Sequence, residues 1–192
     1  QNHLLDFNNY KVIQEIPFQK SFCDYIKEKE YNYNKKIFKA SIKNADVDDE
    51  EYYTLCQFIG QPTIETTEET QMSKEFFHEI ETYIRLRPHN GICKFFGYCL
   101  GPPKTIILEY FPNGSLSELY LKHTKLDNLL KAKIIFGIAC SMMHLHANKI
   151  FNGNLQPSQI YFDKNMEPSL TGYSSFFPEH IKDFDDIKDD PA

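Results

Sequence analysis

The stretch TIILEYFPNGSL, from Thr105 to Leu116, joins two halves of the chain that differ in periodicity. Its first six residues, Thr105–Tyr110, predict a short strand, and the pattern becomes helical from Ser115 onward. A β-rich half is therefore followed by a mostly helical half. This order of elements predicts a two-lobed α+β architecture.

The half before this stretch contains several strand patterns and one helix pattern. Apolar and polar residues alternate in Tyr10–Ile16, as in a half-buried strand. A helix is predicted over residues 73–87, with Ser73 as its N-cap and Pro88 after its end. The polar residues 61–71 predict a loop before it. Further strands are predicted at Lys36–Lys43, Tyr52–Ile59 and Ile92–Cys99.

The half after this stretch contains one long helix and a hairpin. Apolar residues recur with a 3.6-residue period from Leu126 to Ala147. Two short strands, Gln159–Phe162 and Pro168–Thr171, are predicted on either side of a turn.

Composition excludes several classes of protein. The chain has 192 residues and a formal net charge of −6, with no basic stripe, so no nucleic-acid surface is expected. Its five cysteines lack CxxC spacing, which indicates reduced thiols in a cytoplasmic protein and no metal site. The longest apolar run, Ile134 to Met143, is shorter than the roughly 20 residues of a membrane span. The start at Gln1 suggests a fragment of a longer protein.

Three segments in the right order resemble the eukaryotic protein kinase domain of the tyrosine-kinase-like type. Thr105–Leu116 resembles its fifth strand, its hinge and the start of the next helix. Residues 75–98 (EFFHEIETYIRLRPHNGICKFFGY) resemble its αC helix and the following strand, and residues 137–150 (GIACSMMHLHANKI) resemble its αE helix. The resemblance extends from about Tyr10 to Glu179.

The resemblance implies a domain organisation. Residues 1–108 would form a β-rich N-lobe with the αC-type helix at 73–87, and residues 109–114 the hinge. Residues 115–192 would form a partial, mainly helical C-lobe with an acidic tail. Leu108 would be the gatekeeper, and Glu109 to Phe111 would present backbone groups to an adenine ring.

The resemblance also implies that the catalytic positions are degenerate. The family's H-R-D-L-K-P-x-N loop reads N-G-N-L-Q-P-S-Q here, from Asn152 to Gln159. Asn154 replaces the catalytic aspartate, Gln156 replaces the lysine, and Gln159 replaces the metal-binding asparagine. Gly172 stands where the family has the metal-holding aspartate of D-F-G, so no metal ligand is expected there.

The position of the ATP-binding lysine stays open between two alignments. If Tyr10–Ile16 is the first strand, Ser41 replaces the lysine. If Cys23–Lys29 is the first strand, Cys56 replaces it. In both alignments Glu79, at the ion-pairing position of the αC-type helix, is expected to have no lysine partner. No glycine-rich loop is present, since the first glycine is Gly60.

The end of the chain resembles a shortened activation segment. Phe177-Pro178-Glu179 is similar to the A-P-E triplet that closes this segment in the family. Only two residues separate it from the triplet Gly172-Tyr173-Ser174. The chain is therefore expected to be truncated before the central helix of the C-lobe.

These substitutions predict a pseudokinase, a protein that is not an enzyme but serves as a signalling scaffold or regulator. Its expected partners are other signalling proteins or an active kinase, with no membrane and no defined small-molecule substrate. No cofactor is expected, and any ATP that binds is expected to bind without Mg²⁺. The alternative is a divergent Ser/Thr or Tyr kinase that retains ATP binding or weak phosphoryl transfer.

Overall fold

The computed structural model describes residues 3–16, 33–42, 51–60, 66–122 and 124–173. The second candidate for a first strand, Cys23–Lys29, lies outside these residues. So does Pro17–Cys23, the segment that would replace the glycine-rich loop in the first alignment, and so does the A-P-E-like triplet with the acidic tail. The described residues form two lobes, as the resemblance implies.

The first lobe is a five-stranded antiparallel sheet with the order β1-β2-β3-β5-β4. The strands end within a few residues of their predicted limits. The strand β2 begins three residues earlier than predicted, at Tyr33 instead of Lys36. The strands are β1 (Tyr10–Ile16), β2 (Tyr33–Ile42), β3 (Tyr52–Gly60), β4 (Phe95–Cys99) and β5 (Lys104–Glu109).

One helix, α1 (Thr66–Arg85), packs on this sheet. It begins seven residues before the predicted start at Ser73, because its acidic first turns are favourable at the positive end of the helix dipole. Ser73 is therefore not an N-cap, and its hydroxyl accepts a hydrogen bond from Lys104 at 3.0 Å. Phe76 is fully buried and contacts the ring of Phe58 edge-on at 5.3 Å. The same helix face places Glu79 toward the sheet.

The second lobe consists of two helices and a hairpin. Helix α2 (Leu116–Leu121) begins with a capping box between Ser115 and Glu118. The longer helix α3 (Asn128–Ala147) packs on the hairpin of β6 (Ile160–Phe162) and β7 (Pro168–Leu170). A short 3₁₀ helix, Pro157–Gln159, leads into β6.

Hydrogen bonds connect the hairpin to the first lobe. The backbone N–H of Leu170 donates to the carbonyl of Gly91 at 2.8 Å, and the N–H of Cys93 donates to the carbonyl of Leu170 at 3.0 Å. The hydroxyl of Ser141, buried in α3, donates to the same Gly91 carbonyl at 2.8 Å. The end of β7 is thereby fixed beside the segment that leads into β4.

Helix α3 is also long and apolar enough to cross a membrane, with a mean hydropathy of 1.2 over its most apolar 18 residues. Only 17% of that window is buried among the described residues, and one such helix alone is weak evidence for a membrane span. The predicted apolar positions of α3 contact the core of the second lobe, namely Leu130, Ile134, Ile138, Met142 and Leu145.

Candidate functional site

A cleft of about 480 Å³ lies between the sheet and the second lobe. This volume is in the range of about 300–1,000 Å³ that is usual for small-molecule sites. The sheet and α1 form one wall, the segment after β5 forms the back, and the loop before β6 forms the floor. Its lining includes Lys35, Cys56, Glu79, Leu108, Phe111, Asn154, Gln159, Tyr161 and Gly172.

A buried ion pair crosses one end of the cleft. The ammonium of Lys35, on β2, contacts the carboxylate of Glu79, on α1, and both side chains are 6% exposed. The Lys35 ammonium also lies 4.8 Å from the centre of the Phe58 ring. A charge at this depth is tolerated when an opposite charge compensates it. The prediction that Glu79 has no lysine partner is therefore wrong.

The partner of Glu79 comes from β2, at a position that neither alignment indicated, because one alignment put the lysine position at Ser41 of this strand and the other at Cys56 of β3. Side chains alternate along a strand, so Lys35, Ile37 and Lys39 share the cleft face of β2. Opposite them in the antiparallel register, Ile37 pairs with Cys56 of β3. Neither alignment of the motif considered a lysine on this strand. The alternation in Lys35-x-Ile37-x-Lys39 was the signal that could have identified it.

The two residues predicted at the lysine position lie in different places. Cys56 is on β3, is 7% exposed and lines the cleft. Ser41 is buried near the far end of β2, where it pairs with Tyr52 and Lys11, and is not part of the cleft lining. The structure thus brings Cys56, and not Ser41, to the site.

The predicted hinge forms the back of the cleft. The backbone of Glu109 is held on both sides, since its carbonyl accepts from Thr54 Oγ1 at 2.9 Å and its N–H donates to the carbonyl of Lys94 at 2.9 Å. Phe111 is 8% exposed, and its ring lies 5.6 Å from that of Tyr161 on β6. Leu108 also lines the cleft.

Tyr161 is a floor residue that the sequence did not single out. Its burial, with a smaller contribution from the Glu118 carboxylate, raises the pKa of its hydroxyl to about 12. The side chain is therefore neutral at physiological pH and presents an apolar ring face to the cleft.

The predicted catalytic-loop residues form a cluster of side-chain amides. Asn154 and Gln159 are 9% and 7% exposed. The amide of Gln156 donates to Asn154 Oδ1 at 2.9 Å, and Thr171 Oγ1 donates to Gln159 Oε1 at 2.9 Å. Asn152 Oδ1 accepts from the backbone N–H of Asn154 at 2.9 Å. These hydrogen bonds form two groups, Asn152–Asn154–Gln156 and Gln159–Thr171, and the cleft lining includes Asn154, Gln159 and Thr171.

Gly172 lies next to this cluster, two residues after the end of the strand β7. Its φ of +69° is in the left-handed region, which favours glycine. A Cβ atom at this position would lie 2.4 Å from Gln159 Oε1 and 3.0 Å from Asn154 Nδ2. The following residue, Tyr173, is 1% exposed and packs edge-on against Tyr83 of α1.

The residues present do not fit the Mg²⁺ ion that the protein kinase family uses. Among the residues that the structure describes, the cleft lining contains three carboxylates, and all lie on α1, β5 or α2 rather than beside Gly172. Glu79 pairs with Lys35, Glu109 Oε2 accepts from the N–H of Lys94, and Glu118 belongs to the capping box of α2. Within the described ranges, no three His, Cys, Asp or Glu side chains are grouped as metal ligands.

Comparisons with known proteins agree with this geometry. The family model described as protein tyrosine and serine/threonine kinase matches residues 39–169, more than half of the chain. Cysteine-rich receptor-like protein kinase 25 of Arabidopsis thaliana is 33% identical over 111 residues, which are 54% of this chain and 16% of that protein. A probable serine/threonine-protein kinase of Dictyostelium discoideum is 34% identical over 102 residues, 50% of this chain and 8% of that protein.

A third relative, a probable LRR receptor-like serine/threonine-protein kinase of Arabidopsis thaliana, is 32% identical over 109 residues, 54% of this chain and 11% of that protein. The chain thus spans less than a fifth of the length of these relatives. Their names contradict the expectation that the chain is not an enzyme, because they are those of protein kinases. The chain belongs to the protein tyrosine and serine/threonine kinase family.

Proposed function

We propose that this is a divergent protein kinase domain that binds an adenine nucleotide in the cleft and transfers phosphate weakly. The observation that carries the proposal is the buried pair of Lys35 and Glu79 inside the cleft. A pair of this kind is costly to bury and adds little stability compared with apolar residues. Its presence in a ligand-sized cavity is therefore explained better by a ligand than by folding.

Lys35 is the phosphate-binding cation in this proposal. Its ammonium has three donors, and Glu79 fixes its position without occupying all of them. Phosphate oxygens that approach from the cleft would meet an ammonium already held in place by its acidic partner. Such a preorganised charge needs no rearrangement when the ligand arrives.

The opposite end of the cleft suits a purine base. Phe111 and Tyr161 supply aromatic surface, and Tyr110 and Phe111 line the same end of the cleft. A base that stacks on an aromatic side chain gains about 1–3 kcal/mol. These features support the adenine site that the sequence predicts at Leu108, Glu109 and Phe111.

Phosphoryl transfer to a serine, threonine or tyrosine hydroxyl is the reaction class suggested by the relatives' names. Asn154 can orient a hydroxyl by hydrogen bonding, but an amide does not accept its proton at neutral pH. A general base contributes typically about 10²–10⁴-fold to the rate of a proton transfer. We therefore expect transfer to be slower than in a kinase with aspartate at this position. Its protein partners and cytoplasmic location stay predictions.

Titration calorimetry of the purified chain with ATP tests the proposal. The Lys35→Met variant should weaken ATP binding by at least tenfold. The matched control is Lys36→Met, since Lys36 is next in sequence, faces the other side of β2 and is 46% exposed. Far-UV circular dichroism checks that both variants are folded. Absence of saturable ATP binding by the unmodified chain, or equal binding by Lys35→Met, would overturn the proposal.

Transfer is measured separately, as phosphate incorporated into the chain or a generic substrate protein, detected by mass spectrometry. Incorporation by the unmodified chain above the level of Lys35→Met supports weak transfer. Equal levels in both, together with normal ATP binding, would refute the transfer step and leave nucleotide binding in place.

A further inference from the structure

We propose that the cleft takes its adenine nucleotide as the metal-free anion, because the Gln159 amide fills the space of a metal-holding carboxylate. The inference rests on the proposed nucleotide binding and concerns the form of the ligand. Its basis is the position of Gln159 relative to the backbone of Gly172.

The space beside Gly172 is already filled. A Cβ atom on residue 172 would lie 2.4 Å from Oε1 and 2.9 Å from Cδ of Gln159. Real Cβ contacts are not this short, so a carboxylate could enter only if the Gln159 side chain moved. Gln159 is 7% exposed and its Oε1 accepts a hydrogen bond from Thr171 at 2.9 Å. Its displacement would break this hydrogen bond.

The polar side chains of the floor next to Gly172 are neutral amides and not carboxylates. A cation in a protein is bound by oxygen atoms, and Mg²⁺ prefers carboxylates. The amide oxygens of Gln159 and Asn154 each accept a hydrogen bond from a neighbouring side chain. Their NH₂ groups are donors only, and Asn154 Nδ2 lies near the backbone of Gly172. Neutral amide oxygens that already accept a hydrogen bond are weaker ligands for Mg²⁺ than carboxylates.

The compensating positive charge for the phosphates comes from the protein. Lys35 lies at the buried end of the cleft, and Lys39 and Lys122 also line it. Lys39 is held with its ammonium 3.6 Å from the ring centre of Tyr52. Lys35 is thus the cation at the end assigned to the phosphates, and Lys39 and Lys122 add positive charge elsewhere along the cleft. A bound Mg²⁺ would neutralise the same phosphate charges that these lysines attract.

Calorimetric titration of the unmodified chain with ATP, once with EDTA and once with excess Mg²⁺, tests the inference. The dissociation constant in EDTA should be equal to or lower than that in Mg²⁺. Binding at least tenfold tighter with Mg²⁺ would overturn the inference and leave the proposed function standing. Absence of binding in both buffers would refute the proposed function and this inference together.

A gain of metal dependence provides the second test. The double variant Gln159→Ala/Gly172→Asp removes the obstructing amide and supplies a carboxylate, and aspartate is among the residues that tolerate a left-handed backbone. Its ATP affinity should rise at least tenfold on adding Mg²⁺. Gln159→Ala alone is the matched control and should show no such rise. If the control gained the same dependence, the oxygen ligands would come from elsewhere and the inference would be wrong.

Discussion

Replacing Lys35 by methionine should destabilise the domain strongly, because it leaves the carboxylate of Glu79 buried without its cation. Both side chains of the pair are 6% exposed, so solvent cannot compensate for the loss. Removing one partner of a buried pair costs about 3–5 kcal/mol. This is a large part of the roughly 5–15 kcal/mol by which domains are usually stable. For a urea m-value of about 2 kcal/mol/M, the unfolding midpoint should fall by about 2 M.

A double-mutant cycle separates the ion pair from general packing. The double variant Lys35→Met/Glu79→Leu replaces both charges by apolar groups and should recover most of the stability, since such replacements are often neutral or stabilising. The exposed pair of Lys36 and Glu15, at 3.7 Å and with side chains 46% and 55% exposed, is the matched control. Its coupling energy should be at most about 1 kcal/mol. The reasoning fails if Lys35→Met costs no more than Lys36→Met, or if the double variant is no more stable than Lys35→Met.

Three other predictions concern the floor and the second lobe. Asn154→Asp should raise the phosphoryl-transfer rate at least tenfold by restoring a general base, and an unchanged rate in the mass-spectrometric assay would exclude Asn154 from the reacting position. Burial raises the pKa of Tyr161 to about 12 in the folded domain, from about 10 in the unfolded chain. This group therefore stabilises the domain below pH 10, and its contribution of at most about 2.7 kcal/mol is lost as the pH rises toward 12. Tyr161→Phe should therefore reduce the fall in unfolding free energy over this range, and equal slopes would contradict the burial of the hydroxyl. Gly137→Ala should cost about 1–2 kcal/mol in urea unfolding, because its Cβ would lie 2.4 Å from Pro168 Cγ, whereas Gly101→Ala, with nothing within 4 Å, is the control.

Periodicity predicted most of the fold because burial and secondary structure follow the same pattern in this chain. The strand β1 has its predicted limits, and the helix α3 begins two residues after its predicted start at Leu126. The start of α1 at Thr66 was missed, because a run of threonine and glutamate has the composition of a loop. Such a run can still form a first helical turn when the following residues pack on a sheet.

The floor of the site could be predicted because its residues lie close to one another in the sequence. Leu155 and Pro157 fix the register of the catalytic loop, and the structure places Asn154 and Gln159 together beside Gly172. The spacing of these residues is set by a short loop and a hairpin. The wall formed by the sheet and α1 depends instead on which strands are neighbours and in which register they pair. The sequence alone does not contain that information in a readable form.

The missing lysine of β3 and the missing carboxylate of Gly172 have different consequences, although both are substitutions at motif positions. Neighbouring strands lie only about 4.8 Å apart, and a lysine side chain is long enough to cross that distance. A lysine on β2 can therefore reach the same carboxylate as one on β3, and Lys35 does so. No similar relocation is available at Gly172, because the Gln159 amide fills the adjoining space. Among the described residues, the cleft thus has a lysine paired with Glu79 and no carboxylate beside Gly172, which is why the metal dependence of ATP binding is the decisive measurement of the proposal.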